Sequence, residues 1–223
     1  MIYITGDTHG DINRFKERGA RKLRSGDTLI ICGDFGFVWE GGEKERRLLK
    51  WLGRRRYNIL FVEGVHDNLG LLEKFPVEEW NGGRVRTIYG RLRMLCRGEV
   101  FEIEGRRVFA FGGGEPEESS LYNEKFEGEL PTTEQIDHAR TRLEKVGYKV
   151  DYIITHQPSR KILQFLSMDH NSSTLLDNFL DEVREKCEYR RWFFGSIHKN
   201  KRIPPSEMAL FTSIVRAEDA LQV

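Results

Sequence analysis

The chain has 223 residues, with 36 Lys+Arg against 35 Asp+Glu and a net charge of +1. This length suits one domain whose core needs no staples, and the charge balance argues against a globally electrostatic nucleic-acid binder while leaving a local basic patch open. The three cysteines, Cys32, Cys96 and Cys187, are scattered without a CxxC, the usage of reduced thiols in a cytoplasmic protein rather than of a disulfide framework or zinc knuckle.

The N-terminus reads straight into a strand (MIYIT), so no secretory signal is expected. No apolar run approaches the roughly 18 residues of a membrane span. Ile2 to Thr5 is a short apolar strand, and Asp11 to Arg24 a polar helix with Ile12, Phe15 and Leu23 inward. A second strand (Thr28 to Cys32), a second helix (Glu43 to Arg55) and a third strand (Ile59 to Glu63) continue the β-α-β alternation that favours parallel strands.

From Val85 the pattern changes. Val85 to Tyr89, Leu92 to Cys96, Glu99 to Ile103 and Arg107 to Phe111 read as an antiparallel meander feeding a second sheet, with a tight turn at Glu104 to Arg106. Glu115 to Leu130 is acidic and irregular. PTTEQ (Pro131 to Gln135) starts a helix, with Thr132 or Thr133 as cap. Asp151 to Thr155 is a strand, 159–188 is mainly helical, and Arg191 to Phe194 and Met208 to Ser213 are the last strands. The expected fold is α/β: two packed mixed β-sheets flanked by helices, in a single domain over 1–223 with the helical stretch 159–188 as an insertion.

Six short segments carry chemistry-bearing residues, most of them directly after a strand-like run: GDTHG (Gly6 to Gly10), GDFG (Gly33 to Gly36), EGVHDN (Glu63 to Asn68), FGGG (Phe111 to Gly114), THQP (Thr155 to Pro158) and FGSIH (Phe194 to His198). Open α/β folds gather their sites at such carboxyl ends of strands. In GDTHG, Asp7 and His9 are two apart on an extended segment and can converge on one cation; the alternative is a turn beside a surface His. Asp34 follows an apolar strand, where a carboxylate needs a partner, unless it serves as a cap or turn residue. His66 and Asp67 form an acid/base pair in which the carboxylate orients the ring, and Asp67 can also cap the next helix. His156 and His198 add imidazoles at two further strand ends. His138 and His170 read as surface residues.

The basic run Arg46 to Arg56 reads most simply as an amphipathic helix packing Leu48, Leu49 and Leu52, with a phosphate- or nucleic-acid-binding face as the less favoured reading. Arg84, Arg86, Arg91, Arg93 and Arg97 could line a basic channel, but their alternation fits solvent-facing strand positions equally well.

The order D-x-H, G-D, G-x-H-D, H, G-x-x-H, running from Met1 to about Ile203, resembles the calcineurin-like metallophosphoesterases. The resemblance implies a metallo-dependent phosphatase-like double β-sandwich and two divalent metals. It implies Asp7, His9 and His198 on the first metal, Asp34 bridging, His156 on the second, and His66 with Asp67 behind it serving the leaving group.

Two positions depart from the family pattern. Val65 stands where the family has Asn, and Ser196 where it has His; both lost groups would bind the second metal. Glu115 and Glu117 are candidate substitute carboxylates but read more simply as loop acids. The expectation is one tightly bound metal (Mn, Fe, Zn or Ni), with a second weak or absent.

The expected activity is hydrolysis of a phosphomonoester or phosphodiester, nucleotides included, by metal-activated water. The alternative is a catalytically impaired metal- or nucleotide-binding protein of the same fold. The expected partner is a small phosphorylated substrate, with nucleic acid not favoured and no membrane; oligomeric state is open.

Overall fold

The computed structural model describes residues 1–115, 130–168 and 173–219. In chain order its strands are β1 (Ile2–Thr5), β2 (Thr28–Cys32), β3 (Asn58–Val62), β4 (Val77–Trp80), β5 (Gly83–Tyr89), β6 (Leu92–Leu95), β7 (Glu99–Ile103), β8 (Arg106–Phe111), β9 (Tyr152–Thr155), β10 (Arg191–Phe194), β11 (Lys201–Ile203), β12 (Glu207–Ala209) and β13 (Val215–Arg216). The helices are α1 (Arg18–Arg21), α2 (Glu43–Gly53), α3 (Leu69–Leu72), α4 (Thr133–Lys145), α5 (Arg160–Phe165) and α6 (Leu175–Lys186), with a 3-10 turn at Ile12–Phe15. No helix of the described residues is long and apolar enough to cross a membrane.

The strands form two mixed sheets, a seven-stranded one in the order β13-β1-β2-β3-β6-β5-β4 and a six-stranded one in the order β11-β12-β10-β9-β8-β7. Strict alternation explains the layering. In β2, Ile30 and Cys32 face the other sheet, while Leu29 and Ile31 face the helices. In β9, Tyr152 and Ile154 meet the first sheet, and Ile153 turns to the outer helices. Both strands are buried on both faces, and so read as continuous apolar runs.

Helix α2 forms as its pattern requires. Gly42 starts it, Glu43 and Glu45 sit in its first turn, and Leu49 and Leu52 are buried against the first sheet with Trp51 half-buried. Each buried leucine contributes about 1.5–3 kcal/mol, and Leu52→Ala would lose about 2–5 kcal/mol. The Glu45 carboxylate accepts from the backbone N–H of Trp39, Glu40 and Gly41, fixing the loop that enters the helix. The Thr132–Gln135 capping box starts α4 as expected. Glu104 and Gly105, both at positive φ, make the two-residue turn between β7 and β8.

Two local expectations are corrected, and three short strands carry no sequence signal. The segment 11–24 is not one helix: Glu17 is extended (φ −70, ψ 165) between the 3-10 turn and α1. The buried Arg14 pins this segment by donating to Asp7 O and to Phe211 O, the second a contact from distant chain that local periodicity cannot express. The meander is also split. β5 and β6 belong to the first sheet and β7 and β8 to the second, with the chain crossing at Cys96–Gly98. The short strands β4, β11 and β13 carry no buried apolar run, and their pairing comes from neighbours.

Candidate metal centre

Strands β1, β2 and β3 run parallel, as do β8, β9 and β10. Their carboxyl ends therefore deliver Asp7, Asp34 and His66 from one sheet and His156 and His198 from the other to a common edge. The turns that deliver them are strained. His9, Asp34, Ser196 and His198 all have positive φ, between 42° and 52°, a conformation tolerated where surrounding structure over-determines it. The approach is also close. A Cβ on Gly195 would lie 2.0 Å from Asp7 Oδ1, and one on Gly64 2.1 Å from Asp34 Oδ1, so only glycine admits the two carboxylates.

Asp7, His9, Asp34 and His198 each offer one ligand atom, all within 4.8 Å of one another. His198 Nε2 lies 3.1 Å from Asp7 Oδ2, and His9 Nε2 lies 3.8 Å from Asp34 Oδ2. The two imidazoles meet Nε2 to Nε2 at 3.0 Å. Two donors at right angles and about 2.1 Å from one ion would be about 3.0 Å apart. Asp7 Oδ2 is buried without a hydrogen-bond partner, although His198 is near enough for an ion pair. Two imidazoles that meet Nε2 to Nε2 beside an unsatisfied carboxylate oxygen have the arrangement of ligands aimed at a common point. The donor set, two carboxylate oxygens and two imidazoles, fits a first-row divalent cation.

The opposite side of the carboxylates is already used. Asp7 Oδ1 accepts from Ser196 N–H (3.4 Å) and Asp34 Oδ1 from His66 N–H (2.8 Å). His156 sits behind them, its Nδ1 3.5 Å from Asp7 Oδ1 and its Nε2 3.7 Å from Asp34 Oδ1. Burial disfavours its charged form, but Asp34 and Asp7 outweigh burial and raise its pKa to about 10. Burial likewise opposes ionisation of Asp34, yet His156 and His66 hold it well below the usual carboxylate range. Asp7 is also lowered, its contacts with His156 and His198 overcoming burial. Burial lowers His9, whereas the neighbouring Asp7 carboxylate raises His198. The site is thus an ionised carboxylate pair that requires positive charge.

Val65 and Ser196 fall on the His156 side. A Cβ on Gly114 would lie 2.8 Å from Val65 Cγ1 and 3.3 Å from His156 Cδ2, so the valine methyl shares a wall with the imidazole. Among the described residues the ligand group does not include Glu115, whose N–H bonds Gln157 Oε1. Glu117 and His170 lie outside the described residues.

His66 stands at the rim, with its side chain 38% exposed and Nδ1 3.0 Å from Asp34 Oδ2. Two roles given to Asp67 are corrected. The carboxylate holding the His66 ring is Asp34, because Asp67 is fully buried and holds backbone: it accepts from Phe35, Gly36 and Gly64 N–H. The cap of α3 is Asn68, which accepts from Leu71 N–H. Burial raises the pKa of Asp67 to about 6. His138 is no free surface residue either, since it bonds Glu99 at 2.9 Å. Of the five arginines that could line a basic channel, Arg84, Arg86 and Arg97 line one pocket together with Glu63 and Glu73; Arg84 binds Glu99, Arg86 binds Glu73 O and Phe75 O, and Arg97 is buried against Glu63.

Sequence reasoning missed two supports of the site. Arg14 ties the Asp7 carbonyl (3.0 Å) to the loop at Phe211, and the Phe211 ring lies 4.9 Å from the His198 ring. Neither residue has a local signal, because the contact that joins them spans 197 residues of sequence.

No curated protein matches the chain in sequence. Among solved structures it is similar to a protein of unknown function from Aquifex aeolicus, AQ665, at 16% identity over 85% of this chain and 88% of that one, with a TM-score of 0.36. The model of the calcineurin-like phosphoesterases, generally metal-dependent hydrolases, matches residues 1–200, the stretch that contains every converging donor. Two mixed sheets, donors at their common edge and this match lead to one conclusion: the chain belongs to the calcineurin-like phosphoesterase family.

Proposed function

We propose that the protein hydrolyses a phosphate ester of a small molecule, nucleotides included, using one tightly held divalent cation. The observation that carries this reading is the convergence of Asp7, His9, Asp34 and His198 within 4.8 Å, with an exposed imidazole beside them. Asp7, His9, Asp34 and His198 would hold the cation, which when bound neutralises phosphoryl charge and acidifies water. His156 stays behind the carboxylates and balances their charge from the protein side. His66 is oriented through Nδ1 by Asp34, and its ring is the group placed to donate a proton to the leaving oxygen. The three free cysteines are consistent with a cytoplasmic setting.

A second reading, a metal- or nucleotide-binding protein without turnover, draws on Val65 and Ser196. The retained His66 opposes it, since a binder has little use for a general acid. Elemental analysis of the purified protein, followed by assays on monoester and diester reporters with Mn, Ni, Fe and Zn, separates the two. Turnover with any of these metals supports the enzyme. A protein that binds metal but turns over no ester is the binder.

A further inference from the structure

The exposed face of α2 carries charge that the site does not use. Two adjacent grooves, of about 360 and 420 Å³, share Arg54 and Arg55. Their cations are Arg21, Arg47, Lys50, Arg54, Arg55 and Arg56, and no acidic residue lines either groove. Among the described residues only Arg47 of these six forms an ion pair, to Glu43 at 3.1 Å. A net charge of +1 spread over the chain is thus locally resolved into a cationic surface.

Two of these cations, Arg55 and Arg56, are held in place by contacts other than acids. Arg56 Nε donates to Leu23 O at 2.9 Å. Arg55 lies over the Trp51 ring, 3.3 Å from its centroid, and its Nε is buried without a hydrogen-bond partner. Arg91, at the same edge, donates to Arg55 O. Fixed guanidiniums lose less side-chain freedom on binding than free ones and match phosphate geometry.

We infer that the carboxyl end of α2, with the turn before β2, docks the phosphodiester backbone of a nucleic acid. Two contiguous grooves with closely spaced cations call for a ligand with repeated negative charge rather than a single phosphate. An anionic membrane is the lesser fit, because the large exposed apolar side chains among the described residues (Met1, Val77, Leu130, Phe165, Met168, Leu175) lie outside both grooves. The surface is distinct from the metal centre. Arg21 and Leu23 precede β2 and Arg56 and Tyr57 precede β3, two parallel strands followed by Asp34 and His66, so the first groove lies at the amino ends of strands whose carboxyl ends carry site residues. A five-residue strand separates the two ends by about 16 Å. The inference therefore stands or falls independently of the reaction.

The test is fluorescence anisotropy of the full chain with labelled 20-nucleotide RNA, single-stranded DNA and duplex DNA, over about 50–200 mM salt. Each phosphate contact contributes about 0.7 to the salt slope for a single strand and about 0.9 for a duplex. The triple variant Arg21→Gln/Lys50→Gln/Arg54→Gln is expected to lower the slope by about 2 and to weaken binding by about 10-fold or more at low salt. Hydrolysis of a small nitrophenyl ester should not change. Lys50→Glu, a single exchange at an exposed helix position, should weaken binding more than Lys50→Gln and decides the matter if the triple variant melts early. Three results would overturn the inference: wild type that binds none of the three probes, a triple variant with wild-type affinity and slope, or phosphatidylserine vesicles bound as tightly as the nucleic acids.

Discussion

The two sides of the Asp7–Asp34 carboxylate pair have opposite chemistry. On the Oδ2 side, two imidazoles stand close with Asp7 Oδ2 lacking a hydrogen-bond partner. On the Oδ1 side, backbone N–H groups of Ser196 and His66 occupy the oxygens, His156 supplies charge, and Val65 supplies a methyl. Asp7 is thus open to a cation through Oδ2 and satisfied through Oδ1, whereas Asp34 keeps the His66 ring on Oδ2 as well as the His66 N–H on Oδ1. Ligand count alone would not reveal this. It is the direction of the remaining lone pairs that separates a metal site from a buried ion-pair network.

The largest effect is expected from emptying the Oδ2 side. His198→Ala should reduce retained metal from about one per chain to near zero and lower turnover by more than about 100-fold, since even ligand-orienting groups are worth 10–100-fold. Elemental analysis after dialysis and a saturating-metal assay check this; full metal retention would break the comparison.

His66→Asn should come next, lowering turnover of a poor-leaving-group ester by roughly 10²–10⁴-fold while metal content holds. The loss should shrink on a nitrophenyl ester, which needs little protonation. Equal activity of wild type and variant on the poor leaving group contradicts the proton-donor role.

The asymmetry itself is tested by stoichiometry. Wild type should retain about one metal, and Val65→Asn/Ser196→His should add a second by titration calorimetry, because it restores side-chain donors to the Oδ1 side. Two metals retained by wild type would show that water or backbone completes the inner side.

Asp67→Asn reads out in stability. An amide oxygen cannot serve all three backbone N–H groups that the carboxylate holds, so a loss of about 1–3 kcal/mol is expected in denaturant melts. A wild-type midpoint with impaired turnover would instead return Asp67 to the acid/base pair.

The smallest effect concerns pH after chelation. His156 has a folded pKa of about 10, above the ordinary 6.5. Its contribution is therefore fully present below 6.5 and is lost as pH rises through about 10. Thermal midpoints of metal-free protein should fall over that window, and His156→Gln should flatten the fall. An unchanged slope in the variant would show that another group carries it.

Much of this was legible along the chain. The apolar runs at Thr28–Cys32, Asn58–Val62 and Tyr152–Thr155 mark strands buried on both faces, and a β-α-β order makes them parallel. Parallel strands present their carboxyl ends together, so the Asp and His residues that follow them could be expected at one edge before any distance was known. Periodicity, capping and residue type act within a few residues, and these features depend on little else.

Contacts over long sequence separation were not legible. That β6 joins β3 while β7 crosses to the other sheet depends on which faces each strand can bury. That Arg14 breaks the expected helix depends on Phe211, nearly the whole chain away. Asp67 beside His66 reads as a catalytic dyad in sequence. In space the ring reaches Asp34, because the chain reverses at Gly64 and the Asp67 carboxylate fills the gap between two loops. Residue types and their order thus determined which chemistry the chain can assemble. Which lone pair faces which donor was decided only by packing, since it depends on backbone directions that distant segments impose.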